Sequence, residues 1–178
     1  MHNDNRTEPL TSILCEGTLP NYTTFCPDSG ITGIKPGLTC YKTASAYANG
    51  CDLTSAEFGD AIITESTIIS PEIPENNVAF AKSWEKDTAF PATNVQALGS
   101  SFKGHVWRIG DKIWIKTGGV NTVALETILV PFANGLWGLA VGITVDKYEV
   151  HKCKALQNTT GQDWQMVEYI GRGSSDAI

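Results

Sequence analysis

The sequence is poor in charged residues, and the charge that it carries is mostly negative. Asp, Glu, Lys and Arg make up 18% of the 178 residues, below the roughly 25% usual for globular domains. Nineteen acidic residues against 13 basic ones give a formal net charge of −6. A nucleic-acid partner needs a basic face, and no run of lysine or arginine provides one. We therefore expect no nucleic acid among the partners.

Long apolar runs are also missing. The most apolar stretch, 128–143, is shorter than the ~20 residues that cross a bilayer as a helix, and Pro131, Asn134 and Gly135 interrupt it. The first residues lack the basic and then apolar regions of a secretory signal. We expect neither a membrane segment nor a membrane partner.

Sequence motifs for catalysis and metal binding are absent as well. No Cys-x-x-Cys or His-x-x-x-His spacing indicates zinc, and no Gly-x-Ser-x-Gly turn indicates a serine hydrolase. His105 and His151 lie on alternating segments and could meet across a sheet at a metal. Hydrogen-bonded strand histidines are the commoner case. A small β-barrel hydrolase is disfavoured because no nucleophile–base arrangement is found. It would be favoured if His105 and His151 lay within hydrogen-bond reach of a buried carboxylate in a pocket.

Four carboxylates, Asp52, Glu57, Asp60 and Glu65, lie close together in the sequence. Paired carboxylates could hydrolyse a glycoside, but a solvated acidic loop is the favoured interpretation. We predict that the protein is not an enzyme and has no catalytic residue, no metal site and no cofactor.

The cysteines are five in number, which leaves at least one thiol unpaired within the chain. Cys15 and Cys26 have the same separation as Cys40 and Cys51, so these four are candidates for two disulfides. Buried thiols explain the four cysteines equally well.

Glycine, proline and β-branched residues are what the chain has in quantity. With 17 Gly and 8 Pro, turn signals recur between short alternating segments, a pattern typical of sandwiches and barrels. We predict an all-β fold: a single β-barrel or β-sandwich (β-tulip-like) domain with an extended N-terminal arm. Residues 1–33 are the predicted arm and loop-rich segment, 34–170 the β domain, with regular structure beginning near Ile34, and 171–178 a flexible tail.

Several turns can be placed within the β domain. Gly110-Asp111 between 105–109 and 112–116 predicts a tight hairpin. Asn134-Gly135 predicts a second hairpin, across the core, and two further strands are expected near 148–156 and 164–170. The proline-containing segment 70–77 is predicted to be an exposed loop.

Trp114 is the best candidate for an interface residue. In Lys112-Ile-Trp-Ile-Lys116 the alternation puts Trp114 on the same strand face as the two lysines, opposite the isoleucines. We expect this face to be exposed, where a tryptophan could anchor a partner.

Three segments resemble small capsid decoration (cement) proteins of tailed viruses. They are Ile34-Lys-Pro-Gly-Leu-Thr-Cys-Tyr41, then Gly110-Asp-Lys-Ile-Trp-Ile115, then Asn134-Gly-Leu-Trp-Gly-Leu-Ala140. The resemblance implies a β-barrel or β-tulip-like domain docked on the outer capsid, often as trimers, with an N-terminal arm along the shell.

The expected function is therefore that of a virion structural protein that stabilises the capsid lattice through protein–protein contacts. Its expected partners are the major capsid protein and further copies of itself in a homotrimer. It would be made in the host cytoplasm and lie on the capsid surface of the virion. The alternative is a carbohydrate- or host-binding β-sandwich module of a tail fibre or surface adhesin, which exposed Trp and Tyr in a shallow cleft would favour.

Overall fold

The computed structural model describes residues 9, 12–27, 34–43, 49–53, 67–72, 102–118, 122–139 and 150–173. Within these ranges the regular structure is strand apart from one short 3-10 turn, which confirms the all-β prediction. No helix in the described part of the chain is long and apolar enough to cross a membrane. Of the four clustered carboxylates, only Asp52 lies within the described residues.

Twelve strands are formed by the described residues. They are β1 Tyr22–Pro27, β2 Cys40–Lys42, β3 Gly50–Leu53, β4 Ile68–Pro71, β5 Phe102–Val106, β6 Lys112–Lys116, β7 Thr122–Val123, β8 Ile128–Pro131, β9 Trp137–Leu139, β10 Val150–Ala155, β11 Thr159–Thr160 and β12 Trp164–Gly173. The 3-10 turn is Ala133–Gly135, between β8 and β9.

The first five strands form a closed barrel in the order β1-β3-β2-β4-β5. Strand β1 closes it, because it pairs in parallel with β3 and antiparallel with β5. Among the described residues regular structure thus begins at Tyr22, and the expectation that it begins near Ile34 is wrong. The polar Thr-rich run fits a strand here because its backbone groups find partners on both sides. The division into arm, domain and tail stays a prediction.

The second sheet has the order β6-β12-β10-β8-β9, with all neighbours antiparallel. It curls until an isolated bridge between Thr117 and Trp137 joins its two ends. The predicted Asn-Gly hairpin is confirmed as the β8–β9 pair, with positive φ at Asn134 (60°) and Gly135 (74°). The predicted pairing of the last two long strands is confirmed as β10 with β12. A small sheet of β7 and β11 completes the described strands.

The predicted Gly-Asp hairpin is wrong. A turn does form there, because Asp111 N donates to Arg108 O at 3.0 Å and Gly110 has a φ of 91°. However, β5 belongs to the barrel and β6 to the second sheet. Both edges of β5 are already paired, with β1 and β4, and a closed barrel has no free edge to offer. The turn therefore carries the chain from one sheet to the other.

The expectation of an exposed loop over 70–77 is wrong for the part that the structure describes, which is buried. Glu72 follows β4 directly and is only 3% exposed. Its carboxylate accepts hydrogen bonds from Tyr22 Oη (2.7 Å), Ser12 Oγ (2.9 Å) and the Ile13 amide (2.8 Å). These three donors replace the water that the carboxylate loses on burial.

A short N-terminal segment covers the edge of β6. Trp114 N donates to Ile13 O at 2.7 Å, and Cys15 N donates to Lys112 O at 2.9 Å. Ile13 is fully buried. Uncovered strand edges invite pairing with other chains, so this segment protects β6 and also ties the second sheet to the barrel through Glu72.

One apolar core joins the two sheets. Trp107, at the exit from β5, stacks on Trp137 of β9 with ring centroids 5.4 Å apart and planes 10° from parallel. The edge of Tyr169 on β12 meets the same ring at 5.4 Å. Such aromatic pairs contribute about 0.5–1.5 kcal/mol each beyond their burial, so the exit from the barrel is also where the sheets are held together.

The Pro36-Gly37 turn packs under Trp164, the first residue of β12. Gly37 has a φ of 80°, and a Cβ at this position would overlap the six-membered ring of Trp164. Its carbonyl accepts the Lys116 amide at 2.8 Å. Position 37 therefore requires glycine for two reasons, the left-handed backbone and the close approach of the ring.

We expect Gly37→Ala to lower the free energy of unfolding by about 2–4 kcal/mol, because it adds overpacking to backbone strain. Gly17→Ala is the matched control, since Gly17 has a φ of 86° and a Cβ added there would have no atom within 4 Å. It should cost only about 1 kcal/mol. Urea unfolding followed by tryptophan fluorescence measures both, and equal losses would contradict the packing argument.

Candidate functional site

Trp114 does not lie on an exposed face. It is 2% exposed, and Lys116 beside it is 8% exposed. The interface prediction for Trp114 is therefore wrong for the chain as folded. The alternation failed because β6 is covered on both faces: Ile113 and Ile115 are also fully buried. A strand buried on both sides shows no exposed stripe whatever its pattern.

A buried pair of His105 and Asp111 spans the turn between the sheets. His105 on β5 is fully buried, and its Nε2 lies 2.7 Å from Asp111 Oδ2. Its other nitrogen, Nδ1, accepts the Asn21 amide at 3.1 Å. Since Nδ1 is an acceptor, Nε2 carries the proton and donates to Asp111. Burial lowers the pKa of His105 below its ordinary value of 6.5, against the opposing effect of the Asp111 carboxylate.

The same carboxylate organises the turn. Asp111 Oδ2 also accepts the Arg108 amide at 2.8 Å, which closes a ring around residues 108–111. The turn is further tied to β12, because Gly110 N donates to Tyr169 O (2.8 Å) and Tyr169 N to Asp111 O (2.9 Å). We call residues 108–111 the exit turn. Its backbone is held by hydrogen bonds within the chain.

Exposed apolar side chains lie at and beside the exit turn. Ile109, at its tip, is 77% exposed, Leu19 is 74% exposed and Ile170 is 37% exposed. Arg108 connects Leu19 to the turn by donating from Nη2 to the Leu19 carbonyl at 2.7 Å. We call Leu19, Ile109 and Ile170 the apolar patch.

A β-bulge on β12 lies beside the exit turn. The pairing of β10 with β12 shifts register by one residue, from Lys152 opposite Gly171 to Cys153 opposite Tyr169, so Ile170 is the extra residue. Bulges commonly redirect a side chain at functional surfaces. Ile109 packs over Gly171, where a Cβ would stand 3.1 Å from Ile109 Cδ1. The bulge and the exit turn are therefore in contact.

The buried pair does not form a hydrolase site. Ser70 lies opposite His105 across β4 and β5, so serine, histidine and aspartate are all present. However, Ser70 Oγ accepts Trp107 Nε1 at 2.9 Å, and both ring nitrogens of His105 are engaged elsewhere. No nitrogen is left to take a proton from the serine, which a triad requires. The arrangement fits a structural role.

His151 lies in the other sheet and does not meet His105. Its Nδ1 is 2.7 Å from Tyr169 Oη, and both side chains are buried. Burial, with a smaller contribution from Cys153, raises the pKa of Tyr169 to about 12. Among the described residues, no group of three or more His, Cys, Asp or Glu side chains is placed to hold a metal ion.

The candidate disulfide residues are all thiols in the structure. Cys15 lies beside β6 of the second sheet, whereas Cys26 lies on β1 with its Sγ 3.9 Å from Asn49 O. The structure thus puts these two on different sheets. Cys40 and Cys51 lie on the neighbouring strands β2 and β3 of the barrel.

Comparison with known proteins does not assign the chain to a group. No family model matches the sequence, and the curated proteins contain no similar sequence.

Sequence reasoning overlooked Asp111 and Ile109 as site residues. It located the Gly110-Asp111 turn but assigned it to a hairpin. An aspartate at the end of a turn commonly accepts a backbone amide three residues earlier or later. That signal could have indicated a fixed turn, with the residue at position 109 at its tip.

We expect Asp111→Ala to lower the free energy of unfolding by about 2–4 kcal/mol, because it leaves the His105 Nε2–H and the Arg108 amide without their acceptor. Asp111→Asn keeps an acceptor of the same shape and should cost less. Urea unfolding measures the stability, and hydrogen exchange at the Gly110 amide reports whether the turn loosens. If both variants behave like wild type, the carboxylate does not hold the turn.

His105 should make the free energy of unfolding fall in mildly acidic solution. Its folded-state pKa is lowered, so the unfolded chain takes up the proton first as the pH falls. The stability that neutral His105 contributes is fully present above the ordinary pKa of 6.5. It is lost as the pH falls from there towards the lower pKa that His105 has in the folded protein. We expect His105→Gln to flatten the decline in unfolding free energy between about pH 7.5 and 5.5. An unchanged slope would exclude His105 as its source.

Proposed function

We propose that this protein is a virion structural protein that decorates and stabilises a capsid lattice through protein–protein contacts, with the apolar patch as a docking surface. The single observation that carries the proposal is the exit turn, an exposed apolar tip held in place by a buried polar pair. The resemblance of the sequence to capsid decoration proteins supplies the partner, the major capsid protein.

Rigidity is what distinguishes this patch from ordinary exposed apolar residues. Isolated apolar side chains on a surface need no explanation. Here the residue at the tip, Ile109, is carried by a turn whose backbone is fixed through Asp111 and Tyr169. Ordering a loop on binding costs free energy, and a loop fixed in advance avoids that cost. A fixed loop therefore favours binding most in proteins that dock through few contacts, because the cost of ordering would be a large part of their binding free energy.

Charge around the patch is also suitable for a protein partner. Arg108 is half exposed beside Ile109, and arginine is enriched at interfaces because it combines apolar contact with several donors. The chain as a whole has a net charge of −6. The Arg108 guanidinium is partly engaged within the chain, by the Leu19 carbonyl and by Asp111 at 3.9 Å, and the acidic net charge disfavours a polyanion as the partner.

Copies arranged with the symmetry of a lattice would strengthen a weak single contact. We propose a homotrimer, in which three patches face the shell together. Linked sites raise overall affinity without any new contact. Linkage in a trimer would let a small patch on each subunit contribute to docking.

The carbohydrate-binding alternative receives no support from the described tryptophans. Sugar binding would use exposed tryptophans as stacking platforms. Trp107, Trp114, Trp137 and Trp164 are all buried. We therefore retain capsid decoration as the proposal.

We expect the purified protein to be a trimer in light scattering after size exclusion. It should also co-sediment with shells of the major capsid protein encoded by the same virus. Ile109→Ser should weaken binding to the shells at least about tenfold, because truncating a central apolar contact costs about 2 kcal/mol or more. Leu125→Ser is the matched control, since Leu125 is also exposed (50%) but lies before β8. It should bind like wild type.

The proposal would be contradicted if the protein were strictly monomeric, did not co-sediment with the shells and bound glycans. Equal losses in Ile109→Ser and Leu125→Ser would show that the exit turn is not the docking surface.

A further inference from the structure

Two cysteines lie close together inside the barrel. Strands β2 and β3 are antiparallel neighbours, with Cys40 opposite Leu53 and Lys42 opposite Cys51. Cys40 and Cys51 are therefore diagonal neighbours. Because side chains alternate along a strand with a period of two, both point to the same face of the sheet. Both are fully buried, so that face is the core side.

The two thiols also interact. The Cys51 thiol, together with burial, raises the pKa of Cys40 well above its ordinary value. A raised pKa keeps the thiol protonated and unreactive in the folded protein. Cys153, the other fully buried cysteine, has its pKa raised by burial alone.

We propose that Cys40 and Cys51 form a disulfide when the chain folds under oxidising conditions, and that the closed barrel then preserves whichever redox state folding has set. The oxidant is a low-molecular-weight disulfide such as oxidised glutathione. One cysteine thiolate attacks it, forming a mixed disulfide and releasing one thiol. The second cysteine then displaces the other thiol. The protein loses two hydrogen atoms, and one disulfide is reduced to two thiols.

Folding and oxidation compete in this scheme. Diagonal neighbours in an antiparallel pair have Cα atoms about 7–8 Å apart, beyond the roughly 4.4–6.8 Å that a disulfide usually spans, so the backbone must move for the bond to form. Oxidation therefore draws two short strands together, which is easier before the barrel closes. Afterwards neither thiol contacts solvent, and both reaction steps need access for a small disulfide.

The test starts from reduced, unfolded wild-type protein that is refolded in a buffer of reduced and oxidised glutathione. Remaining thiols are alkylated, and the chain is cut after Lys42 and before Asp28 and Asp52. This separates Cys40 and Cys51 into two peptides that contain neither Cys15 nor Cys26. We expect these two peptides to be linked, and the link to persist in Cys153→Ser. Linkage of Cys51 to Cys26, or two alkylated thiols, would overturn the proposal.

A second arm needs no variant. Reduced, folded protein is incubated with the same oxidised glutathione, with and without urea. We expect the Cys40–Cys51 link to form at least about tenfold more slowly in the folded protein, because opening of the barrel must precede reaction. Equal rates would overturn the claim that the barrel preserves the redox state.

Discussion

The hydrogen bond between His105 and Asp111 is the interaction on which the rest of this structure depends. It spans the point where the chain leaves the barrel and enters the second sheet. One carboxylate oxygen serves both the imidazole and the Arg108 amide, so the bond that joins the sheets also shapes the exposed turn. The proposed docking surface is thus a consequence of how the two sheets are connected.

Closure of the barrel explains why such a connection exists. Strand β5 has neighbours on both sides, so the next strand must pair elsewhere. The chain leaves through Trp107, whose ring stacks on Trp137 of the second sheet. Apolar stacking and a buried polar pair therefore hold the same junction. Neutral histidine suits this position, since its two nitrogens can accept from Asn21 and donate to Asp111 at once.

Local signals in the sequence were sufficient for the fold class and several turns, and insufficient for the sheet assignments. The Asn134-Gly135 hairpin followed from turn chemistry, because adjacent residues with positive φ define it. The pairing of β1 with β5 and the separation of β5 from β6 depend on contacts about 80 residues apart or on closure of the barrel. No local sequence pattern predicts the β1–β5 pairing or the separation of β5 from β6. Trp114 was misplaced for the same reason, since alternation indicates one covered face and cannot reveal that neighbours cover the other.

The most direct test of this account is the tautomer and charge of His105, read from the ring ¹⁵N chemical shifts at neutral pH. The structure requires a neutral ring protonated at Nε2, with Nδ1 accepting the Asn21 amide. Two distinct nitrogen signals of that tautomer, retained as the pH falls below 6.5, are the predicted result. A ring protonated at Nδ1, or an imidazolium at neutral pH, would mean that the pair does not join the sheets as described.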